Sequence, residues 1–265
     1  MIMKRNNAFI RMKFADSDVS KIAFGCINNQ GARNYQEDSF GFSSVEPAEI
    51  KRQGFTAIVA DGMGGLSGGA QISSYAVLAM LEMQKNRDPN MPVNIHLAQS
   101  LRAINNSVLA SGMKGGTTCA AVMCLPTGLY WCTVGDSRIY LVRDGSLTAL
   151  NEDADYLNRL IEQVISGELS YEDAGNDEKK DALAQYIGCK SGIDPDVNSK
   201  PFVPSKGDKI LICSDGVYNA LPAPELLAAL AAPASEASEV NETRVLSKGY
   251  PDQDNFTAIV LEFMK

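Results

Sequence analysis

Apolar positions along this chain follow two periods. Apolar runs rich in β-branched and aromatic residues, closed by Gly, Asp, Asn or Pro, predict strands at Ile22–Ile27, Phe55–Ala60, Thr117–Cys124, Gly128–Val134, Arg138–Val142, Lys209–Cys213 and Phe256–Phe263. Longer helix-like stretches predict helices at roughly Gly69–Gln84, Val93–Ser111, Ala154–Ile165, Glu178–Tyr186, Pro224–Leu230 and Glu236–Leu246. Pro126-Thr127-Gly128 and Arg143-Asp144-Gly145 read as hairpin turns, so the strands they join are antiparallel. Hairpins beside paired helices do not alternate as βαβα. The pattern therefore predicts an α+β fold of antiparallel sheets covered by helices, not a doubly wound sheet.

A length of 265 residues with 45% hydrophobic composition suits one large domain with a full core. We read residues 1–265 as a single unit. Asn151 to Pro204 differs from its surroundings: it is acidic, poor in strand-like runs, and marked by turn signals at Gly175-Asn176 and Asp194-Pro195-Asp196. It reads as a helical, flap-like insertion at about 151–204.

The formal net charge of −8 disfavours nonspecific binding to nucleic acid or an anionic membrane. Six cysteines include no C-x-x-C pair, and Cys119, Cys124, Cys132 and Cys213 lie inside apolar runs. They read as small buried hydrophobes in a reducing compartment. Charges interrupt the apolar start of the chain, so no signal peptide shows, and no run reaches the length of a membrane span. The expectation is a cytoplasmic monomer.

The chemistry lies in carboxylates at strand margins. Asp61-Gly62 closes the run Phe55–Ala60, and Asp215-Gly216 follows Lys209–Cys213. Asp136 follows a glycine after Gly128–Val134, Asp254 precedes the last strand, and Glu37-Asp38 heads an early one. Each alone is ordinary turn or cap chemistry. Gathered in one site they would repel one another and resist desolvation, and few basic residues lie nearby in sequence to neutralise them. A divalent cation would. All the donors are oxygens, which favours magnesium, manganese or calcium over zinc or copper. Gly62 lets the backbone come close, so its carbonyl can also face a metal. His96 is the only histidine and reads as an ordinary helix position. No G-x-S-x-G elbow or P-loop ending appears.

"RNYQED", "VADGMGG", "GGTT", "VGDSRIYLVRDG", "CSDGVYN" and "DNFTAIV" occur in an order that resembles the type 2C, metal-dependent Ser/Thr protein phosphatases, from about Phe24 to Phe263. The resemblance implies a four-layer α-β-β-α sandwich, two central antiparallel sheets flanked by helices, with Mn2+ or Mg2+ in the cleft at one end. By the same resemblance Asp61 bridges two metals and the Gly62 carbonyl joins it. Asp215 and Asp254 are further ligands, the pair Glu37 and Asp38 serves the other metal, and Asp136 with Asp215 holds a third ion. Arg33 matches the arginine that grips the phosphate. The implied reaction is in-line attack of a metal-bridging water on phosphoserine or phosphothreonine of proteins phosphorylated by a Ser/Thr kinase. A noncatalytic regulatory module of the same fold, or a phosphatase for small esters or a sporulation-type regulator, stays open at this point. The chain departs from bacterial relatives at Gln36, where Asn is usual. It departs from animal members at Met63, which replaces a histidine, and "EDADY" stands where an Asp-His pair is usual.

Overall fold

The computed structural model describes residues 9–64, 68–154, 156–177 and 183–265. Two antiparallel sheets lie at its centre. The larger has the strand order β1 (Phe9–Arg11), β2 (Lys21–Asn29), β13 (Phe256–Met264), β12 (Lys209–Cys213), β9 (Arg138–Arg143) and β10 (Ser146–Ala149). The smaller runs β11 (Asp196–Val197), β8 (Gly128–Val134), β7 (Cys119–Leu125), β4 (Phe55–Ala60) and β3 (Ser39–Phe42). A two-stranded ribbon, β5 (Gly62–Met63) with β6 (Gly116–Thr117), sits beside it.

Both faces of each sheet are covered, which explains why the inner strands read as unbroken apolar runs. In β12, Ile210 and Ile212 enter the core between the sheets, and Leu211 and Cys213 face outward under helices. In β4, Ala57 and Val59 face inward, and Ile58 and Ala60 face the opposite helix pair. The alternation is the period of two that any strand imposes. Each fully buried Ile or Leu contributes about 1.5–3 kcal/mol relative to exposure, so a one-residue register slip would be costly.

The helical layers follow the same logic. α2 (Gly68–Lys85) and α3 (Val93–Ser111) lay Ile72, Ala76, Met80, Leu97, Leu101 and Ile104 on the smaller sheet. α7 (Ala223–Ala229) and α8 (Ala234–Ser247) lay Leu226, Ala237 and Val245 on the larger. The result is the expected α-β-β-α sandwich. The single turn α6 (Asp215–Tyr218) joins the layer on the larger sheet through Val217, whereas α1 (Pro47–Gln53) packs Ile50 against the core between the sheets.

The strand and helix expectations hold in register with small shifts. The run Thr117–Cys124 is broken at Thr118, between β6 and β7. Both anticipated hairpins are present, with Asp144 and Gly145 at φ of 51° and 74°. That is the left-handed geometry of a two-residue turn matched to strand twist. The helix expected at Glu178–Tyr186 needs correction. Residues 178–182 lie outside the described residues, and 183–186 are not helical. There Ala184 N–H and Gln185 N–H both donate to the Ala154 carbonyl, which holds the chain away from helical pairing. Between 151 and 204 the described elements are α4 (Tyr156–Ser166), α5 (Tyr171–Asn176) and β11. Among the described residues no helix is long and apolar enough to cross a membrane.

Candidate metal centre

Antiparallel pairing brings distant parts of the sequence to one end of the sandwich. Asn29 pairs with Phe256, Cys213 with both Ala258 and Arg138, and Ser39 with Ala60. The residues just beyond these ends are the acidic ones. They open on a cleft of about 540 Å³ whose walls include Arg33, Glu37, Asp61, Asp136, Asp215 and Asp254, together with Gly62. Asp38 lies behind this wall and is buried.

Asp61 is gripped through its backbone. Its N–H donates to Thr118 Oγ1 at 2.9 Å, and its carbonyl accepts from Thr117 Oγ1 and from Thr118 N–H, each at 2.8 Å. Thr118 Oγ1 also meets Ser137 Oγ at 2.6 Å, tying this turn to the loop that carries Asp136. The Gly-Thr-Thr segment thus aims the aspartate without touching its carboxylate. At Gly62 a side chain is impossible: a Cβ would lie 2.5 Å from the Glu37 carbonyl oxygen and 2.6 Å from Gly69.

Asp38 is held by Ser214, whose hydroxyl donates to Oδ2 at 2.7 Å, and its N–H is capped by Gln36 Oε1 at 3.1 Å. The substituted Gln36 therefore keeps a polar task. Asp215 opens α6 and accepts from Asn219 Nδ2 at 3.2 Å. Its carboxylate lies close enough to that of Asp61 for each to alter the other's proton affinity. Asp254 accepts from Asn255 N–H on one oxygen and pairs on the other with Arg33 at 2.6 Å. Asn255 is the hub of the loop before β3. It takes the Glu37 N–H on Oδ1 and donates from Nδ2 to the carbonyls of Gln30 and Tyr35. Asp136 follows Gly135, which has φ of 95°, and its carbonyl accepts from Tyr218.

The electrostatics are unfavourable to the charged forms. Burial, with smaller contributions from Asp215 and Asp254, pushes the Asp38 carboxyl up to about 6. Burial and then the charges of Asp38, Asp215 and Asp136 hold Asp61 well above its ordinary range. Burial and Asp215 bring Asp136 to about 6, and burial with Asp254 raises Asp215. Moreover, Glu37 Oε1, Asp38 Oδ1 and Asp215 Oδ1 are buried oxygens without a hydrogen-bond partner. Orphaned carboxylate oxygens are costly unless a cation meets them, and an all-oxygen donor set fits a hard divalent ion. Among the described residues no group of three or more Asp, Glu, His or Cys side chains is arranged, as it stands, to hold a metal ion. The carboxylates share a cleft without a finished coordination shell.

His96 does not line the cleft. It sits half-buried on α3, with burial lowering its affinity for a proton. The sequence reading noted Gln36 without its capping role, and missed the supporting groups Ser214, Asn255 and Tyr218 and the ion pair of Arg138 with Asp153. Only their adjacency to the acidic motifs signalled them.

Against known proteins, residues 31–248 match the family model of protein phosphatase 2C. The chain belongs to the protein phosphatase 2C family. Protein-serine/threonine phosphatase activity with divalent metal ions is typical of this family. The serine/threonine phosphatase stp of Listeria welshimeri is 28% identical over 242 residues, covering 87% of this chain and 91% of that protein. The protein phosphatase PhpP of Streptococcus pneumoniae is 30% identical over 185 residues, 67% of this chain and 73% of that one. Among solved structures, the Streptococcus agalactiae serine/threonine phosphatase aligns with a TM-score of 0.75 at 23% identity, over 92% of this chain and 100% of that one. The catalytic domain of PstP, solved with two manganese ions, aligns at 0.69 and 24%, over 92% and 99%. These likenesses of fold agree with the sandwich described above.

Proposed function

We propose that this chain, as one catalytic unit with a flap at about 151–204, hydrolyses phosphoserine and phosphothreonine in proteins. Its divalent cations, manganese or magnesium, are held by Asp61, the Gly62 carbonyl, Asp215, Asp254 and the Glu37–Asp38 pair, with Asp136 and Asp215 serving a third. The observation that carries this reading is the meeting of buried, partnerless carboxylate oxygens at one cleft that also holds an arginine. When bound, such ions neutralise a phosphomonoester dianion and acidify water for attack at phosphorus.

The chain's own residues position and select. Arg33 is 56% exposed and carries a planar fork suited to two phosphate oxygens. Its present partner, Asp254, is itself a proposed ligand; a cation engaging that carboxylate would leave the guanidinium to the substrate. Ser214 fixes Oδ2 of Asp38 and leaves Oδ1 as the oxygen available to a metal. Thr117 and Thr118 hold Asp61 by its backbone, so its carboxylate is aimed at little entropic cost. No covalent intermediate is required of the protein, because positioning and electrostatics dominate phosphoryl transfer. Met63 has no proton to give, so the departing oxygen takes its proton from water or from another group of the cleft.

The test is hydrolysis of a phosphothreonine peptide by manganese-loaded protein. Turnover should vanish with EDTA and with Asp61→Asn or Asp215→Asn. A folded, metal-loaded protein that turns over no phosphopeptide would instead support the noncatalytic module.

A further inference from the structure

The cleft's described lining is polar or glycine except at three places: Tyr35, Met63 and Leu183. Tyr35 is 58% exposed, and Met63 and Leu183 are half-buried. They come from three separate parts of the chain: the loop before β3, the ribbon strand β5, and the stretch between α5 and β11. A lone exposed tyrosine would mean nothing. This one is held in place. Asn255, itself buried, binds the Tyr35 carbonyl at 2.9 Å and the Glu37 N–H at 2.8 Å. On the other side, Gln30 Nε2 donates to the Arg33 carbonyl at 2.6 Å. The backbone carrying Tyr35 is therefore tied two residues before it and two residues after it. The ties fix the ring's origin two residues from the arginine proposed to take the phosphate. A rigidly based aromatic at the mouth of a polar cleft offers contact area at low entropic cost.

We propose that Tyr35, with Met63 and Leu183, forms an apolar lip that selects phosphoproteins carrying a nonpolar side chain next to the phosphorylated residue. The proposal rests on the phosphatase reading and names its substrate class. The phosphoryl group goes to Arg33 and the cations, and the neighbouring side chain lies on the lip and leaves water. Burying one leucine-sized side chain in part corresponds to about tenfold in specificity. A hydrophobic lip gives no such gain to an amide of similar size.

The experiment compares two phosphothreonine peptides that differ only in the flanking residues, leucine on both sides or asparagine on both sides. The pair is matched in charge, so the acidic field of the cleft drops out. With manganese-loaded protein, kcat/KM and peptide binding by calorimetry are both measured. The leucine peptide should be preferred about tenfold. The ratio should fall to near one in Tyr35→Ala, fall in Leu183→Asn, and persist in Tyr35→Phe. A wild-type ratio near one overturns the lip whatever the variants do. So does a tenfold ratio that survives Tyr35→Ala. A protein that binds the leucine peptide more tightly through Tyr35 but hydrolyses neither keeps the lip and overturns the phosphatase reading. Hydrolysis of both peptides at equal efficiency does the reverse.

Discussion

Asp208 and Asp38 are equally hidden from water, at 2% and 5% exposure, yet their surroundings are opposites. Asp208 receives Arg143 on both oxygens, at 2.9 and 2.6 Å, and the Ser205 N–H at 2.7 Å. Asp153 is treated the same way: Arg138, stacked 3.8 Å over the Tyr218 ring, donates to it from two nitrogens. Asp38 receives one serine hydroxyl, and its other oxygen has nothing. The fold thus supplies a guanidinium where a carboxylate is structural. At the cleft Arg33 reaches Asp254 alone, and Asp38 and Glu37 keep buried oxygens without a partner, which an outside cation can balance. One residue type serves two ends, told apart by its partners.

The comparison can be broken most decisively at Asp61. Asp61→Asn should cut kcat/KM for a phosphopeptide by about 10³-fold or more, with the metal-free variant at least as resistant to urea as the parent. Arg33→Ala comes next. We expect roughly 10²-fold, mainly in KM, with the bound-metal count by calorimetry unchanged; loss of metal would argue against its phosphate role. Manganese at a hundred times its dissociation constant should add about 2.7 kcal/mol of stability, and Asp38→Asn should remove most of that gain in thermal melts.

Smaller effects test the structural set. Asp208→Asn should lower stability by about 1–3 kcal/mol in urea titrations, whereas Asp38→Asn should leave the metal-free protein unharmed or firmer. The pH response follows from the raised values of Asp38 and Asp136, each about 6 against an ordinary 3.8. Across that window the folded chain binds more protons than the unfolded one, so stability falls as pH rises. Their favourable contribution is complete below about 4 and gone above about 6. Melting of metal-free protein from pH 4.5 to 7 should show the decline, and saturating manganese should abolish it.

Much of this was legible in the chain because long-range packing and local pattern agree. Phe55–Ala60 and Phe256–Met264 are buried on both faces, so their apolar runs survive any choice of neighbour. The margins were less legible. β1, β3 and β10 are short strands at or beside sheet edges, with three or four residues each, and carry too few positions for a period. α1 begins with Pro47 and has seven residues, below the length at which a helical stripe shows. The acidic residues announced themselves by position, yet the carboxylate pair Glu37–Asp38 could not be resolved. Only the fold reveals that Asp38 is the deeper and that Glu37 points a buried, partnerless oxygen at Gly69. Asn255 and Ser214 were silent because their work is long-range: Ser214 reaches Asp38 across 176 residues.

Between Cys213 and Phe256 the chain makes a long detour through α6, α7 and α8, then returns to pair directly beside the strand it left. The ladder acts as a caliper that carries Asp215 and Asp254 to the same end of the sheet, where both line the cleft. One step of strand is about 3.4 Å, so a slip of a single pair would move one carboxylate past the other by that distance. The α7–α8 junction braces this caliper: Lys209 on β12 donates to the Leu230 and Ala232 carbonyls, and the Ala234 N–H donates to Glu262 on β13, so a loop graft or length change there would be felt at the cleft.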